Sequence, residues 1–195
     1  MLSWDDKGKI RVACVGDSIT GGTNYPSYLA GLLGSKYEVG NFGVGGTTAS
    51  MDSGGAYMEQ RAFQRAKKFQ PNIVIIMLGT NDANPFLYLN LSKATFVEGY
   101  MKLIAEFQAL SPKPKIYLVK PPPVFNEDTG TDARYFRDIV IGGVEQVAAK
   151  TNLPVVDVYS ALANQSAFFA DGVHPDGEGA KLIANVIYAA IPEQT

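Results

Sequence analysis

Cysteine, histidine and tryptophan are nearly absent from this chain, which has one of each among its 195 residues. A single cysteine cannot form a disulfide within the chain, so a disulfide-stapled scaffold is excluded. Cys14 lies inside an apolar run, where a lone cysteine is typical of a small core residue. One cysteine and one histidine far apart in sequence do not indicate a zinc site. We therefore expect no metal and no cofactor.

An excess of charge of one sign is also lacking, because 17 basic and 19 acidic residues give a formal net charge of −2. No basic stripe is present, so nucleic acid is not an expected partner. The longest apolar runs, such as 73–78, are far shorter than a membrane span. Residues 1–9 are polar and do not form a signal peptide. We expect a soluble protein, either cytoplasmic or exported with its signal removed.

Short apolar runs alternate with helical patterns along the whole chain, which predicts one domain over residues 1–195. The predicted strands cover 9–16, 37–41, 72–78, 115–119 and 153–158. The predicted helices cover 25–33, 56–69, 93–110, 132–150 and 177–190. This alternation favours an α/β fold with a five-stranded parallel sheet covered on both faces. Right-handed crossovers then bring every loop that follows a strand to one edge of the sheet.

Chemically useful side chains fall in those loops. Ser18 follows the first strand, Gly46 lies in a glycine-rich turn after the second, and Asn81 follows the third. Asp171 and His174 precede the last helix. Because ligands of such folds bind at the carboxyl ends of the strands, we predict a site built from these residues.

Ser18, His174 and Asp171 are the residue types of a nucleophile, its general base and the acid that orients the base. His174 is the only histidine, so any such base must be this residue. Asp171 lies three residues earlier and can accept the other imidazole N–H. Each residue also has a simpler interpretation: Ser18 and Asp171 as helix caps, and His174 as a surface residue. Donors for an oxyanion are available from the Ser18 amide, the Gly46 amide and the Asn81 side chain, which are otherwise ordinary turn residues.

With these residues assembled, the sequence resembles the SGNH, or GDSL-type, hydrolases. Four stretches carry the resemblance in order along the chain: Gly16-Asp-Ser-Ile-Thr, Asn41-Phe-Gly-Val-Gly-Gly-Thr-Thr, Gly79-Thr-Asn-Asp and Asp171-Gly-Val-His-Pro. The resemblance implies a three-layer α/β/α sandwich of flavodoxin-like type and a metal-free esterase. Ser18, Asp171 and His174 would form its triad, and Ser18, Gly46 and Asn81 its oxyanion hole.

Within that family the sequence is most similar to the bacterial sialate O-acetylesterase-like branch, on 41–48, 78–82 and 120–125. This similarity implies a serine esterase that removes acetyl groups from carbohydrates, with a small-molecule or oligosaccharide ester as its partner. A lipid esterase, a lysophospholipase or a thioesterase of the same family is the enzymatic alternative. A carbohydrate-binding module that has lost catalysis is the non-enzymatic one, and it predicts gaps in the constellation that the sequence does not show.

Nucleotide binding is the remaining alternative, because Gly16–Thr23 almost matches the phosphate-binding pattern G-x-x-x-x-G-K-[ST]. Gly22 stands where the phosphate-binding lysine would be, which argues against it. The dinucleotide pattern fails in the same way, since Thr48 replaces its last glycine.

Candidate substrate contacts are Asp17, Phe86, Tyr88 and Phe125. Aromatic rings in these loops suit a sugar ring or an acyl chain, and they suit loop packing equally well. Asp17 is expected to order the loop rather than react, and Gly21 and Gly22 to keep the rim of the site low.

Overall fold

The computed structural model describes residues 8–84, 92–125 and 133–191. Its centre is one sheet of five parallel strands in the order β2-β1-β3-β4-β5. The strands are β1 (Ile10–Gly16), β2 (Tyr37–Gly43), β3 (Ile73–Met77), β4 (Lys115–Lys120) and β5 (Val155–Asp157). This order is the flavodoxin-like one, with its switch point between β1 and β3.

Helices connect the strands and cover both faces of the sheet. They are α1 (Ser18–Gly22), α2 (Tyr25–Leu33), α3 (Arg61–Lys68), α4 (Lys93–Gln108), α5 (Ala133–Phe136), α6 (Gly142–Thr151), α7 (Val158–Leu162) and α8 (Gly177–Ala190). One π-helical segment, Arg137–Ile141, joins α5 to α6. Short 3₁₀ turns occupy Met51–Ser53, Tyr57–Glu59, Asn81–Ala83 and Ser166–Phe168.

The central strands β1, β3 and β4 are buried on both sides, and their alternate residues supply two separate cores. Val74 and Ile76 of β3 face the core formed with α3, α4 and α6. Ile73 and Ile75 face the core formed with α2, α7 and α8. Alternation within a continuous apolar run is the expected pattern for a parallel strand between two helical layers. The predicted three-layer α/β/α fold is confirmed.

Cys14 belongs to the second core and is fully buried, as expected for a small apolar residue. Within the described ranges, we find no helix with the length and apolar character needed to cross a membrane.

Candidate active site

Ser18 begins α1 directly after the turn that ends β1. The turn requires glycine at position 16, because a Cβ there would lie 2.4 Å from the Met77 carbonyl oxygen of the neighbouring strand. Asp17 then caps the helix by accepting a hydrogen bond from the Ile19 amide at 3.0 Å. The close passage of β1 beside β3 therefore places Ser18 at the carboxyl edge of the sheet, where it is partly exposed.

His174 lies beside Ser18, although 156 positions separate them in sequence. Its Nε2 is 2.8 Å from Ser18 Oγ, and its Nδ1 is 2.7 Å from Asp171 Oδ2. An ionised carboxylate can only accept, so Nδ1 carries a proton and donates it to Asp171. Nε2 is then the free acceptor, and Ser18 donates its hydroxyl proton to it. The side chains of His174 and Asp171 are 45 % and 56 % exposed, so the group opens to solvent.

The loop before α8 holds Asp171 in place for this contact. Asp171 Oδ1 accepts hydrogen bonds from the backbone amides of Val173 at 2.9 Å and His174 at 2.7 Å. Partial burial raises the pKa of Asp171, but the His174 amide, the His174 ring and the Val173 amide outweigh that effect and lower it to about 2. Asp171 is therefore a carboxylate at any pH where the protein would work.

The loop that follows β2 also lies beside Ser18. A Cβ at Gly45 would lie 3.6 Å from Ser18 Cβ, so this backbone passes directly beside the serine. Gly46 adopts φ +76°, a left-handed conformation that favours glycine. A Cβ at Gly46 would meet no atom within 4 Å, so space adjoins its backbone.

Asn81 comes from the loop after β3 and is tied to the same region. Its Nδ2 donates to the carbonyl oxygen of Thr47 at 2.9 Å. A carboxamide nitrogen carries two hydrogens, so this bond fixes the amide and leaves a second donor. The structure thus brings Ser18, Gly46 and Asn81 to the edge formed by β1, β2 and β3.

Asp82 is a further residue of this region, and the sequence reasoning missed it. Its two carboxylate oxygens accept from the backbone amides of Ala49 and Ser50, each at 2.9 Å. Burial raises its pKa to about 7, although these two amides lower it in part. Asp82 lies among the polar residues Thr80, Asn81 and Asn84, so nothing in the sequence distinguishes it from an exposed loop residue. The partners themselves are backbone groups 32 and 33 positions away, which leave no mark on the sequence.

Of the four predicted substrate contacts, Asp17 and Phe125 lie among the described residues. Asp17 is only 1 % exposed, so the prediction that it contacts a bound substrate is wrong. It orders the loop instead, as its capping bond shows, and burial raises its pKa to about 6. Phe125 packs its ring on Phe169, with centroids 4.9 Å apart, and its amide donates to the Gly172 carbonyl oxygen at 2.7 Å. Phe86 and Tyr88 lie outside the described residues.

No group of three or more histidine, cysteine, aspartate or glutamate side chains suited to a metal ion occurs among the described residues. The chemistry that the arrangement offers is nucleophilic, because a hydroxyl lies beside a base and the base lies beside a carboxylate.

Comparison with known proteins identifies the family of the chain. The model of the GDSL-like Lipase/Acylhydrolase family matches residues 14–182. An acetylxylan esterase of Xylanibacter ruminicola is 33 % identical over 206 residues, a match that covers 93 % of this chain and 43 % of the relative. A GDSL esterase/lipase of Arabidopsis thaliana is 22 % identical over 68 % of this chain and 59 % of its own length. The chain thus spans about half the length of these curated relatives.

Among solved structures, a carbohydrate acetylesterase of Sinorhizobium meliloti superposes with a TM-score of 0.77 at 20 % identity. The match covers 93 % of this chain and 98 % of that one. At this identity the likeness concerns the fold, and it extends over almost the whole of both chains.

Proposed function

The chain belongs to the GDSL-like lipase/acylhydrolase family, and on this premise we propose that it hydrolyses carboxylic esters with Ser18 as its nucleophile. The observation that carries the proposal is the hydrogen-bonded series Ser18 Oγ, His174 Nε2, His174 Nδ1 and Asp171 Oδ2, with links of 2.8 and 2.7 Å. These contacts join two loops that are remote in sequence. They have the geometry of a serine nucleophile with a neighbouring base and an orienting acid.

In the first half of the reaction, Ser18 Oγ attacks the ester carbonyl carbon while His174 Nε2 accepts the hydroxyl proton. The carbonyl oxygen gains negative charge, and the Ser18 amide, the Gly46 amide and the Asn81 carboxamide are the donors proposed to stabilise it. Asp171 stabilises the imidazolium that forms. The tetrahedral intermediate then breaks its bond to the alkoxy oxygen, which takes the proton from His174 Nε2 and leaves as an alcohol.

In the second half, a water molecule replaces the alcohol. His174 Nε2 accepts a proton from the water as its oxygen attacks the acyl carbon on Ser18. Collapse of this second intermediate releases the carboxylic acid, and the proton returns from His174 to Ser18 Oγ.

We further propose that the acyl group is acetyl and that the alcohol is a carbohydrate. Support comes from the relative that is named an acetylxylan esterase and from the resemblance to the carbohydrate acetylesterase branch. The plant relative is named an esterase/lipase, so chain length is the property that the experiment must resolve.

The test measures hydrolysis of p-nitrophenyl esters from acetate to decanoate, and acetate release from acetylated xylan, by wild type, Ser18→Ala and Ser35→Ala. Ser35 lies exposed in the turn that leads into β2, at the amino end of the strands and away from the site, and serves as the matched control. We expect Ser18→Ala to lose at least about a thousandfold in kcat, because the nucleophile is absent. We expect Ser35→Ala to match wild type, and acetate to be the best ester. Equal activity of Ser18→Ala and wild type would contradict the nucleophile, whereas a preference for long chains would contradict only the acetyl and carbohydrate assignment.

A further inference from the structure

A small cavity lies next to the proposed catalytic group and has no part in the mechanism above. It encloses about 230 Å³ between two chain segments, Gly22–Asn24 and Pro175–Gly177, with Ala180 behind them. The first segment begins at Gly22, the last residue of α1, whose first residue is Ser18. The second follows His174 directly. We call this feature the Asn24–Asp176 cleft.

The direction of the reaction places the leaving alcohol on this side of Ser18. The alkoxy oxygen must reach His174 Nε2 to receive its proton, while the carbonyl oxygen must point to the donors on the loops after β2 and β3. The alkoxy oxygen therefore lies beside His174 rather than beside those donors. Pro175 and Asp176, which line the cleft, follow His174 directly in the chain, and Gly22 lies one helical turn from Ser18 on the same face of α1.

The side chains of the cleft offer both a donor and an acceptor for hydroxyl groups. Asn24 stands at the N-cap of α2, but its side chain makes no capping bond. Asp176 caps α8 through Oδ1 alone, which accepts from the amides of Glu178 at 2.9 Å and Gly179 at 3.0 Å. Its Oδ2 is not needed for the cap and is an additional acceptor.

Glycine keeps the cleft open. A Cβ at Gly22 would meet no heavy atom within 4 Å, so a larger side chain there would extend into open space rather than into the core. The buried residues Pro175 and Ala180 form the floor of the cleft, and the exposed residues Asn24 and Asp176 form its rim.

We propose that the Asn24–Asp176 cleft binds the sugar ring of the leaving alcohol and hydrogen-bonds the hydroxyls next to the esterified one. This assignment rests on the proposed esterase function and adds to it a location for the carbohydrate. The cleft makes Asn24, Asp176 and Gly22 determinants of specificity, because they contact the alcohol and not the reacting atoms.

The test compares two substrates: an acetylated xylo-oligosaccharide, whose leaving alcohol carries hydroxyls, and p-nitrophenyl acetate, whose leaving group carries none. Three variants perturb the cleft in different ways. Asn24→Ala removes a donor, Asp176→Asn keeps the capping oxygen but replaces the second acceptor, and Gly22→Leu fills the space. Gly31→Leu is the control, since a Cβ at Gly31, an exposed residue of α2, also meets no atom within 4 Å.

The quantity to follow is the ratio of kcat/KM for the oligosaccharide to kcat/KM for p-nitrophenyl acetate. We expect a loss of about three- to tenfold in this ratio for Asn24→Ala, which is the size of one neutral hydrogen bond, and about tenfold or more for Asp176→Asn, because a hydrogen bond to a carboxylate is stronger. We expect more than about tenfold for Gly22→Leu, chiefly through KM, and wild-type values for Gly31→Leu. Thermal unfolding identifies any variant that fails to fold. If Gly22→Leu fails to fold, Asn24→Ala and Asp176→Asn still test the proposal.

Three outcomes separate this proposal from the one before it. Ratios within twofold of wild type in folded Asn24→Ala and Asp176→Asn would overturn the cleft as a sugar site. A wild-type protein that hydrolyses p-nitrophenyl acetate but releases no acetate from the oligosaccharide would overturn it as well, while the esterase mechanism stands. Failure of the esterase proposal itself shows as equal activity of Ser18→Ala and wild type on both substrates.

Discussion

At the scale of single residues, Asn81 combines a structural bond with a proposed catalytic one. Its Nδ2 already donates to the Thr47 carbonyl oxygen, and this bond aims the amide before any substrate arrives. Donors that are fixed in advance stabilise a developing charge without reorganising, which is why single donors of this kind have large effects.

We expect Asn81→Ala to lower kcat for p-nitrophenyl acetate by about a hundredfold, with little change in KM, because the donor acts on the transition state rather than on the bound ester. Asn81→Asp should be equally impaired, since its side chain has nearly the same shape but an ionised carboxylate cannot donate. Steady-state kinetics on the two variants and wild type check this. Wild-type kcat in either folded variant would remove Asn81 from the oxyanion hole.

The residues proposed for the triad could be chosen from the sequence because the chain offers so few candidates. There is one histidine, and Asp171 precedes it within a short loop that folds back through its own backbone amides. Asp82 could not be chosen in that way. Its role depends on the backbone amides of Ala49 and Ser50. Every residue except proline has a backbone amide, so the residue types at these two positions do not reveal the contact.

At the scale of elements, α4 and the loop after β2 touch without an intervening side chain. A Cβ at Gly99 of α4 would lie 2.1 Å from the Ala49 carbonyl oxygen and 2.9 Å from Ser50 Cα. The same two loop residues donate their amides to Asp82. The loop that carries Gly46 and Thr47 is therefore held between the Asp82 carboxylate and a helix face that has no side chain at this point.

We expect Gly99→Ala to destabilise the fold by about 1–3 kcal/mol, because backbone atoms must move apart to admit the methyl group. Gly31→Ala is the matched control: it is also helical, meets no atom, and should stabilise by up to about 1 kcal/mol through helix propensity. Urea unfolding of both variants checks the pair. Equal stability of Gly99→Ala and wild type would contradict this prediction and show that the loop backbone moves away from α4 at little cost in free energy.

Helices α2 and α8 have the predicted bounds, since apolar periodicity and flanking residues agree at both ends. The helix predicted over 56–69 is shorter and begins at Arg61, because Ala56 pairs with Thr48 and Gln60 is extended. The strand predicted to reach residue 158 ends at Asp157, whose side chain accepts from the Ser160 amide and starts α7. Both differences arise where a contact outside the periodic pattern sets the boundary.

At the scale of the whole molecule, the strand order explains why the site forms where it does. The chain leaves β1 and β3 in different directions at the switch point, which opens a crevice between the two following loops. Ser18 and Asn81 lie on those loops. Strand number, parallel direction and the edge that carries the site all follow from the alternation of apolar runs with helices, whereas the register of β1 on β3 depends on packing across the sheet.

Two buried carboxyl groups, Asp17 and Asp82, give the whole fold a pH dependence of unusual sign. Burial raises both pKa values, to about 6 and about 7, from an ordinary value of 3.8. Such groups bind protons more tightly in the folded chain than in the unfolded one. Their contribution to stability is therefore complete below about pH 4 and is lost as the pH rises through 6 and 7. Asp171, whose pKa is lowered to about 2, acts only on the acid side of this window.

We expect the free energy of unfolding of the wild type to fall between pH 4 and pH 8, with each of the two groups contributing a slope of up to about 1.4 kcal/mol per pH unit within its own range. Asp82→Asn removes the titrating group, but its NH2 group cannot accept from the second of the two loop amides that Asp82 binds. The variant should therefore be less stable than wild type at pH 4.5, by about 1–3 kcal/mol, and lose less on going to pH 8. Asp52→Asn, which removes an exposed charge from the same loop, should keep the wild-type slope. Urea unfolding at intervals of half a pH unit gives the free energy of unfolding of all three proteins. Parallel curves of this free energy against pH for wild type and Asp82→Asn would mean that Asp82 is ionised in the folded protein throughout this range.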